Sequence, residues 1–208
     1  MPLGMKHWGG ASRFLLGLTA VVVLAACGPP YRIVRYATPN PLRGAARIVV
    51  DHASYEGLSV GNEPLPVYFS HRSPEQQASF QADQAAMAER FFEHLAERNP
   101  GRIIPAPAAD AATLHLRINV FFMEPGVYAY IFSRATEVRA SVRIVAPDGQ
   151  ILDEIALHAT VQAGGFNPSS GQRFRQAGNV LADHVTAYIE DRTVLRARLE
   201  RRSATPPM

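Results

Sequence analysis

The chain of 208 residues contains one cysteine, one lysine and one tryptophan, and all three lie within its first 27 residues. Cys27 has no second cysteine with which to form an internal disulfide or a cysteine zinc site. Lys6 is the only lysine, so the chain after Cys27 can form no lysine Schiff base. Six histidines follow Cys27, but no two have the His-x-x-x-His spacing of a helical metal site. We therefore expect neither a metal nor a cofactor.

The chain also has little net charge. The 21 basic residues nearly balance the 18 acidic residues, which gives a formal net charge of +3. Lys6 and Arg13 belong to the amino-terminal leader, and subtracting these two leaves a formal net charge of +1. Proteins that bind nucleic acid need a clearly basic surface. We therefore expect no nucleic-acid partner.

The amino terminus has the pattern of an export signal. Lys6 and Arg13 precede an apolar run over residues 14–24, which is too short to cross a bilayer as a helix of the mature protein. The run ends in Leu24-Ala25-Ala26-Cys27. This arrangement predicts a signal peptide over residues 1–26.

The stretch LAAC resembles the lipobox of bacterial lipoproteins. The resemblance implies that Cys27 becomes the new amino terminus and carries a thioether-linked diacylglycerol, with a third acyl chain such as palmitate on its amine. Two or three acyl chains anchor a protein stably, whereas one holds it only marginally. In lipoproteins of the enterobacterial type, Asp after the cysteine resembles a signal for retention in the inner membrane. Gly28 stands there instead, which favours the outer membrane, with the domain facing the periplasm.

Composition divides the chain into four segments. We expect a signal peptide over 1–26, a flexible tether rich in proline and glycine over 27–46, one α/β domain over 47–192 and a tail over 193–208. The arginines at and beyond the end of the domain are Arg192, Arg196, Arg198, Arg201 and Arg202.

Hydrophobic periodicity predicts the elements of the domain. Residues 48–50 form a short apolar run typical of a buried strand. A helix is expected after Ser73, with a capping box completed by Gln76, and it ends near Asn99. Three alternating strands follow, and a second helix begins after Ser169 or Ser170. The inward positions expected in the first of these strands are Leu114, Leu116, Ile118, Val120 and Phe122.

The element order β-α-β-β-β-α predicts a two-layer α/β sandwich, with a mostly antiparallel sheet and both helices on one face. With the lipobox in front, it resembles a group of small envelope accessory lipoproteins and periplasmic domains. That group includes the penicillin-binding-protein activator LpoB and the TolB amino-terminal domain. The chain looks most similar to uncharacterised lipoproteins of myxobacterial type. The resemblance places no functional residue except Cys27.

Residues 57–61 read Gly-Leu-Ser-Val-Gly, which matches the G-x-S-x-G nucleophile elbow of esterases and lipases. An elbow needs a helix directly after the motif, and we expect that Pro64 and Pro66 cannot form one. Asp153 and His184 follow in triad order. We expect a surface loop and no enzyme, and a serine hydrolase that uses Ser59 stands as an alternative.

The connection over residues 124–134, EPGVYAYIFSR, is unusually apolar for a solvent-exposed loop. We expect Tyr128, Tyr130, Ile131 and Phe132 to form a contact surface for an unknown envelope protein. The alternative is that this segment extends a strand or fills the core. The function predicted is a non-catalytic accessory lipoprotein. A lipid- or ligand-binding module of an envelope transport system is an alternative, and it requires an apolar cavity between the helices and the sheet.

Overall fold

The computed structural model describes residues 29–43, 47–104, 113–129 and 132–203, with side chains described as far as Thr193. The predictions for Cys27, Tyr130 and Ile131 fall outside these residues.

Ten strands and three helices are found within the described ranges. The strands are β1 Tyr31–Arg35, β2 Ile48–Val50, β3 Ser59–Val60, β4 Glu63–Pro64, β5 Ile103–Ile104, β6 Leu114–Glu124, β7 Val127–Ala129, β8 Phe132–Arg134, β9 Thr136–Val145 and β10 Ile151–Val161. The helices are α1 Leu65–Ser70, α2 Pro74–Arg98 and α3 Ser170–Ser203.

The main sheet has the strand order β1-β10-β9-β6-β2-β5. The pairs β1–β10, β10–β9 and β9–β6 are antiparallel, whereas β2 runs parallel to both β5 and β6. The short strand β3 pairs with the end of β6, and β7 and β8 form a separate two-stranded ribbon. The α/β fold and the mostly antiparallel sheet are therefore confirmed.

Helix α2 begins and ends at the residues that its sequence indicates. The Ser73 hydroxyl accepts a hydrogen bond from the Gln76 N–H, and the Gln76 side chain accepts one from the Ser73 N–H, which completes the capping box. Asn99 caps the carboxyl end, and Gly101 follows with φ of +74°. A positive φ is readily adopted by glycine, so the chain turns there toward β5.

Helices α2 and α3 pack against each other and against one face of the sheet, where the core lies. Their buried stripes are Phe80, Met87, Phe91 and Leu95 on α2 and Phe174, Ala177, Leu181, Val185 and Tyr188 on α3. The two helices pack closely at Gly178, where an added Cβ would lie 2.5 Å from the Met87 carbonyl oxygen. The expectation of helices on one face is confirmed.

Strand β1 lies within the segment expected to be a flexible tether. Tyr31 pairs with Leu157 and Ile33 pairs with Ile155, so β1 forms an edge of the main sheet. The strand has no inward–outward alternation, because Ile33 and Val34 are both exposed at this edge. It precedes residue 47, where the domain was expected to begin.

A β-bulge changes the outer face of β6. The register with β9 shifts between Val120 and Phe122, so Met123 rather than Phe122 occupies the next inward position. Phe122 instead lies on the outer face, where the Arg139 guanidinium is 4.7 Å from its ring centroid. The expected inward position of Phe122 is wrong, because a bulge inserts one residue and reverses the alternation.

Two helices also differ from expectation. The six-residue helix α1 follows the G-x-S-x-G stretch, with Pro64 as its N-cap and Pro66 in its first turn. Proline is tolerated there because the first N–H groups of a helix have no partner within the helix. Helix α3 continues to Ser203, through much of the segment expected to be a tail.

Candidate functional site

An apolar surface lies at the ribbon β7–β8, which connects β6 to β9. Val127 is 44% exposed, Tyr128 is 37% exposed and Phe132 is 59% exposed. The connection thus forms a small strand pair that leaves these side chains in solvent, rather than filling the core. We refer to Val127, Tyr128, Phe132 and Phe166 together as the apolar tip.

Phe166 was missed by sequence reasoning. Its side chain is fully exposed in the loop between β10 and α3. A Cβ added to the preceding Gly165 would lie 3.7 Å from the Tyr128 hydroxyl oxygen, so this loop lies against the ribbon. The available signal was one aromatic residue among glycine, asparagine, proline and serine, in a loop expected to be polar.

The base of the ribbon requires glycine at one position. Gly126 has φ of +66°, and an added Cβ would lie 2.5 Å from the Arg134 carbonyl oxygen. Both the conformation and the close backbone approach exclude a larger residue without rearrangement. Gly126 therefore permits the tight backbone turn between the end of β6 and the ribbon.

A buried arginine joins the ribbon to the loop that carries Phe166. Arg173 is 2% exposed, and its Nε donates to the Thr136 hydroxyl oxygen at 2.8 Å. Its Nη2 donates to the Pro125 carbonyl at 3.0 Å. Its Nη1 donates to the carbonyls of Asn167 at 3.0 Å and Pro168 at 2.6 Å. One guanidinium therefore holds both parts of the apolar tip, and desolvation by burial lowers its pKa.

A second buried network fastens β1 to the body of the domain. Asp153 is fully buried and accepts hydrogen bonds from the Ala37 N–H at 2.8 Å and the Tyr188 hydroxyl at 2.6 Å. Arg192 donates to both carboxylate oxygens of Asp153, from Nε at 3.2 Å and from Nη2 at 3.1 Å. The same Nη2 donates to the Ala37 carbonyl at 2.9 Å. The carboxylate therefore joins β10, α3 and the segment that follows β1.

Tyr31 adds a contact at the start of β1. Its hydroxyl donates to Asp191 at 2.5 Å, and its ring meets the Tyr188 ring edge-on, with centroids 5.2 Å apart. Desolvation and the neighbouring carboxylates raise the pKa of both tyrosines, so both hydroxyls remain donors. Strand β1 is thus attached by side chains as well as by its pairing with β10.

The outer face of the sheet carries ion pairs. Asp51 accepts from His115 at 2.9 Å and from Arg117 at 2.8 Å. His158 lies 3.4 Å from Glu137 on the neighbouring strand. His115 and His158 therefore both contact acidic side chains on this face.

A groove of about 760 Å³ lies at the edge of this face, where the described chain begins. Pro29, Arg139, His158 and His184 are among the residues that line it. Nδ1 of His184 is buried, and desolvation lowers the pKa of this imidazole. A different cavity, between the helices and the sheet beside Met87, measures only about 10 Å³. That volume suits about one water molecule and is too small for a lipid chain.

Ser59 lies in β3, next to β6, where its hydroxyl donates to the Phe121 carbonyl at 3.4 Å. Asp153 is engaged by Tyr188 and Arg192 in the network at β1. His184 lines the groove beside Pro29, and its buried Nδ1 has no hydrogen-bond partner. The structure therefore does not bring the three residues of the possible triad together.

Among the residues that the structure describes, no three His, Cys, Asp or Glu side chains are grouped so that they could hold a metal ion. In the same part of the chain, no helix has the length and apolar character needed to cross a bilayer.

No protein-family model and no curated protein matches the sequence. Among solved structures, the chain is similar to the PelC dodecamer from Paraburkholderia phytofirmans, with 12% identity, a TM-score of 0.43, and coverage of 76% of this chain and 95% of that chain. It is also similar to the hypothetical protein CT253 from Chlamydia trachomatis, with 8% identity, a TM-score of 0.41, and coverage of 69% of this chain and 97% of that chain. At these values the likeness supports no assignment of function.

Proposed function

We propose that the protein is a non-catalytic accessory lipoprotein, anchored at Cys27 in the outer membrane and facing the periplasm, which binds another envelope component through its apolar tip. The lipobox sequence supports the anchor. The single observation that supports the binding role is the exposed apolar tip, two of whose residues, Tyr128 and Phe132, were expected to form a contact surface.

The tip is better suited to binding than a mobile loop with the same residues. Arg173 holds Pro125 and Thr136 at the base of the ribbon, and Asn167 and Pro168 beside Phe166. A surface that is already ordered loses little conformational entropy when it binds. A contiguous exposed apolar patch also marks interaction sites on soluble domains.

The anchor would act by confinement. A lipidated Cys27 keeps the domain near one membrane surface and raises its effective concentration for a component of that membrane. A modest intrinsic affinity of the tip is then sufficient for occupancy.

Photocrosslinking in cells tests the binding role. A photoreactive residue at Val127, which is 44% exposed, is compared with one at Tyr36, which is 59% exposed. Tyr36 follows β1 beside the start of β10, at the opposite end of the sheet from the tip. We expect Val127 to capture envelope molecules at least severalfold more efficiently than Tyr36. Equal capture from both positions would contradict a role for the tip.

Two further measurements test the remaining parts of the proposal. Cys27→Ala should abolish acylation, seen by mass spectrometry of the amino-terminal peptide, and release the protein from the membrane fraction. A fluorophosphonate probe should leave Ser59 unlabelled, and labelling that is lost in Ser59→Ala would establish the hydrolase alternative.

A further inference from the structure

The start of β1 shows from which part of the domain the anchor emerges. Tyr31 pairs with Leu157, and β1 runs antiparallel to β10. The chain before Tyr31 therefore continues toward the end of β10, and Pro29 lines the same groove as His158. Cys27 is two residues before Pro29, so covalent geometry keeps it within about 7 Å of that residue.

The apolar tip lies at the same end of the sheet. Val161, the last residue of β10, pairs with Thr136, the first residue of β9. The ribbon β7–β8 directly precedes Thr136, and the loop with Phe166 directly follows Val161. The anchor and the tip are therefore on one side of the molecule.

The link between the anchor and the sheet is short and is fastened at the sheet. Only residues 28–30 separate Cys27 from β1, which bounds the reach from Cys27 to Tyr31 at about 14 Å. Strand β1 is in turn held by the Tyr31–Asp191 hydrogen bond and by the Ala37–Asp153 hydrogen bond. The domain therefore cannot move far from the bilayer that holds the acyl chains.

The tip and its surroundings have the chemistry of an interfacial surface. Tyr and Phe side chains are favoured where headgroups meet acyl chains, and arginine at that level contacts lipid phosphates. Arg134 is 67% exposed beside the ribbon, and Arg139 is 50% exposed near the groove. Each arginine also pairs with one acidic side chain, Glu124 or Glu137 respectively.

We propose that the apolar tip inserts into the interfacial region of the phospholipid leaflet that carries the anchor. The protein is then attached at two points, by the acyl chains on Cys27 and by the tip, and its orientation on the membrane is set. This inference rests on the proposed function, and it identifies the envelope component that the tip binds as phospholipid.

Tryptophan fluorescence tests the inference cleanly, because the only natural tryptophan, Trp8, lies in the predicted signal peptide. Phe132→Trp and Phe166→Trp each place one reporter in the tip, and both native side chains are exposed, so folding is not at risk. Tyr36→Trp is the matched control, because Tyr36 is 59% exposed like Phe132 and follows β1 at the opposite end of the sheet. The lipidated protein is reconstituted in phosphatidylethanolamine–phosphatidylglycerol vesicles, with and without bromine near the top of the acyl chains.

We expect the tip reporters to shift to the blue and to lose at least half of their emission to brominated lipid, whereas the Tyr36→Trp reporter does neither. The inference is overturned if the protein floats with the vesicles but the tip reporters behave like the control. It is equally overturned if photocrosslinking from Val127 captures one dominant protein rather than lipid. Loss of flotation together with an unacylated Cys27 would instead refute the proposed function itself.

Discussion

Substitution of Asp153 by Asn should destabilise the domain strongly, because it removes a fully buried charge from its partner. The carboxylate has no exposed surface, and the Arg192 side chain beside it is only 17% exposed. Asp153→Asn preserves the size of the side chain but replaces one carboxylate oxygen with an amide nitrogen, which cannot accept a hydrogen bond. In one orientation that nitrogen faces the donors of Tyr188 and Arg192, and in the other it faces those of Ala37 and Arg192. At least one donor then loses its acceptor.

The expected loss in the free energy of unfolding follows from the burial of the ion pair. Removing one partner of a buried ion pair costs about 3–5 kcal/mol, because the other charge stays buried. Arg192 retains some access to water, so we expect the lower end, about 3 kcal/mol. For a domain of this size, that loss lowers the melting temperature by roughly 6–12 °C.

Urea denaturation of the mature chain, followed by circular dichroism, measures the loss. Asp183→Asn is the matched control, since Asp183 is 49% exposed and pairs with His94 and Arg98 at the surface. Exposed pairs contribute about 0–1 kcal/mol, so the control should change little. Hydrogen exchange should also become faster in β1 of Asp153→Asn. Equal stability of the two variants, with unchanged exchange in β1, would refute the reasoning that this carboxylate fastens the strand.

Two further predictions concern the helix contact and the outer face. Gly178→Ala should lower the free energy of unfolding by about 1–2 kcal/mol despite the better helix propensity of alanine, because its Cβ would meet the Met87 backbone. Gly171→Ala is the control, because its Cβ would meet only the movable Asp83 side chain. It should lose less than half as much in the same denaturation assay. Burial opposes ionisation of Asp51, but hydrogen bonds to its carboxylate from His115 and Arg117 lower its pKa below the ordinary value of 3.8. The stability that ionised Asp51 contributes is complete above the ordinary value of 3.8 and is lost as the pH falls through the lower pKa of the folded state. Asp51→Asn lacks this carboxylate, so it should lose less stability than the unmodified protein between about pH 5 and pH 3.

Much of the candidate site was accessible from the sequence, and the missing parts were those that depend on distant segments. Tyr128 and Phe132 stood out because apolar residues filled a connection between strands. Phe166 did not, because its proximity to Tyr128 arises only when the loop after β10 folds against the ribbon. Arg173 was also missed, since its partners are backbone carbonyls and a hydroxyl rather than an acidic residue of matching spacing.

The sequence by itself determined the elements whose signals are local: the capping box of α2, the buried stripes of both long helices and the alternation of the three long strands. Those signals act between residues a few positions apart, so they can be recognised without knowing the fold. Only the tertiary structure decided the role of residues 31–35, which have no alternating pattern and form a strand through pairing with β10. The bulge in β6 is likewise a consequence of strand register. The role of Asp153 depends on contacts with Arg192, 39 residues away in the sequence, and with Ala37, 116 residues away. Long-range contacts of this kind depend on how the packed layers meet, and no local pattern encodes them.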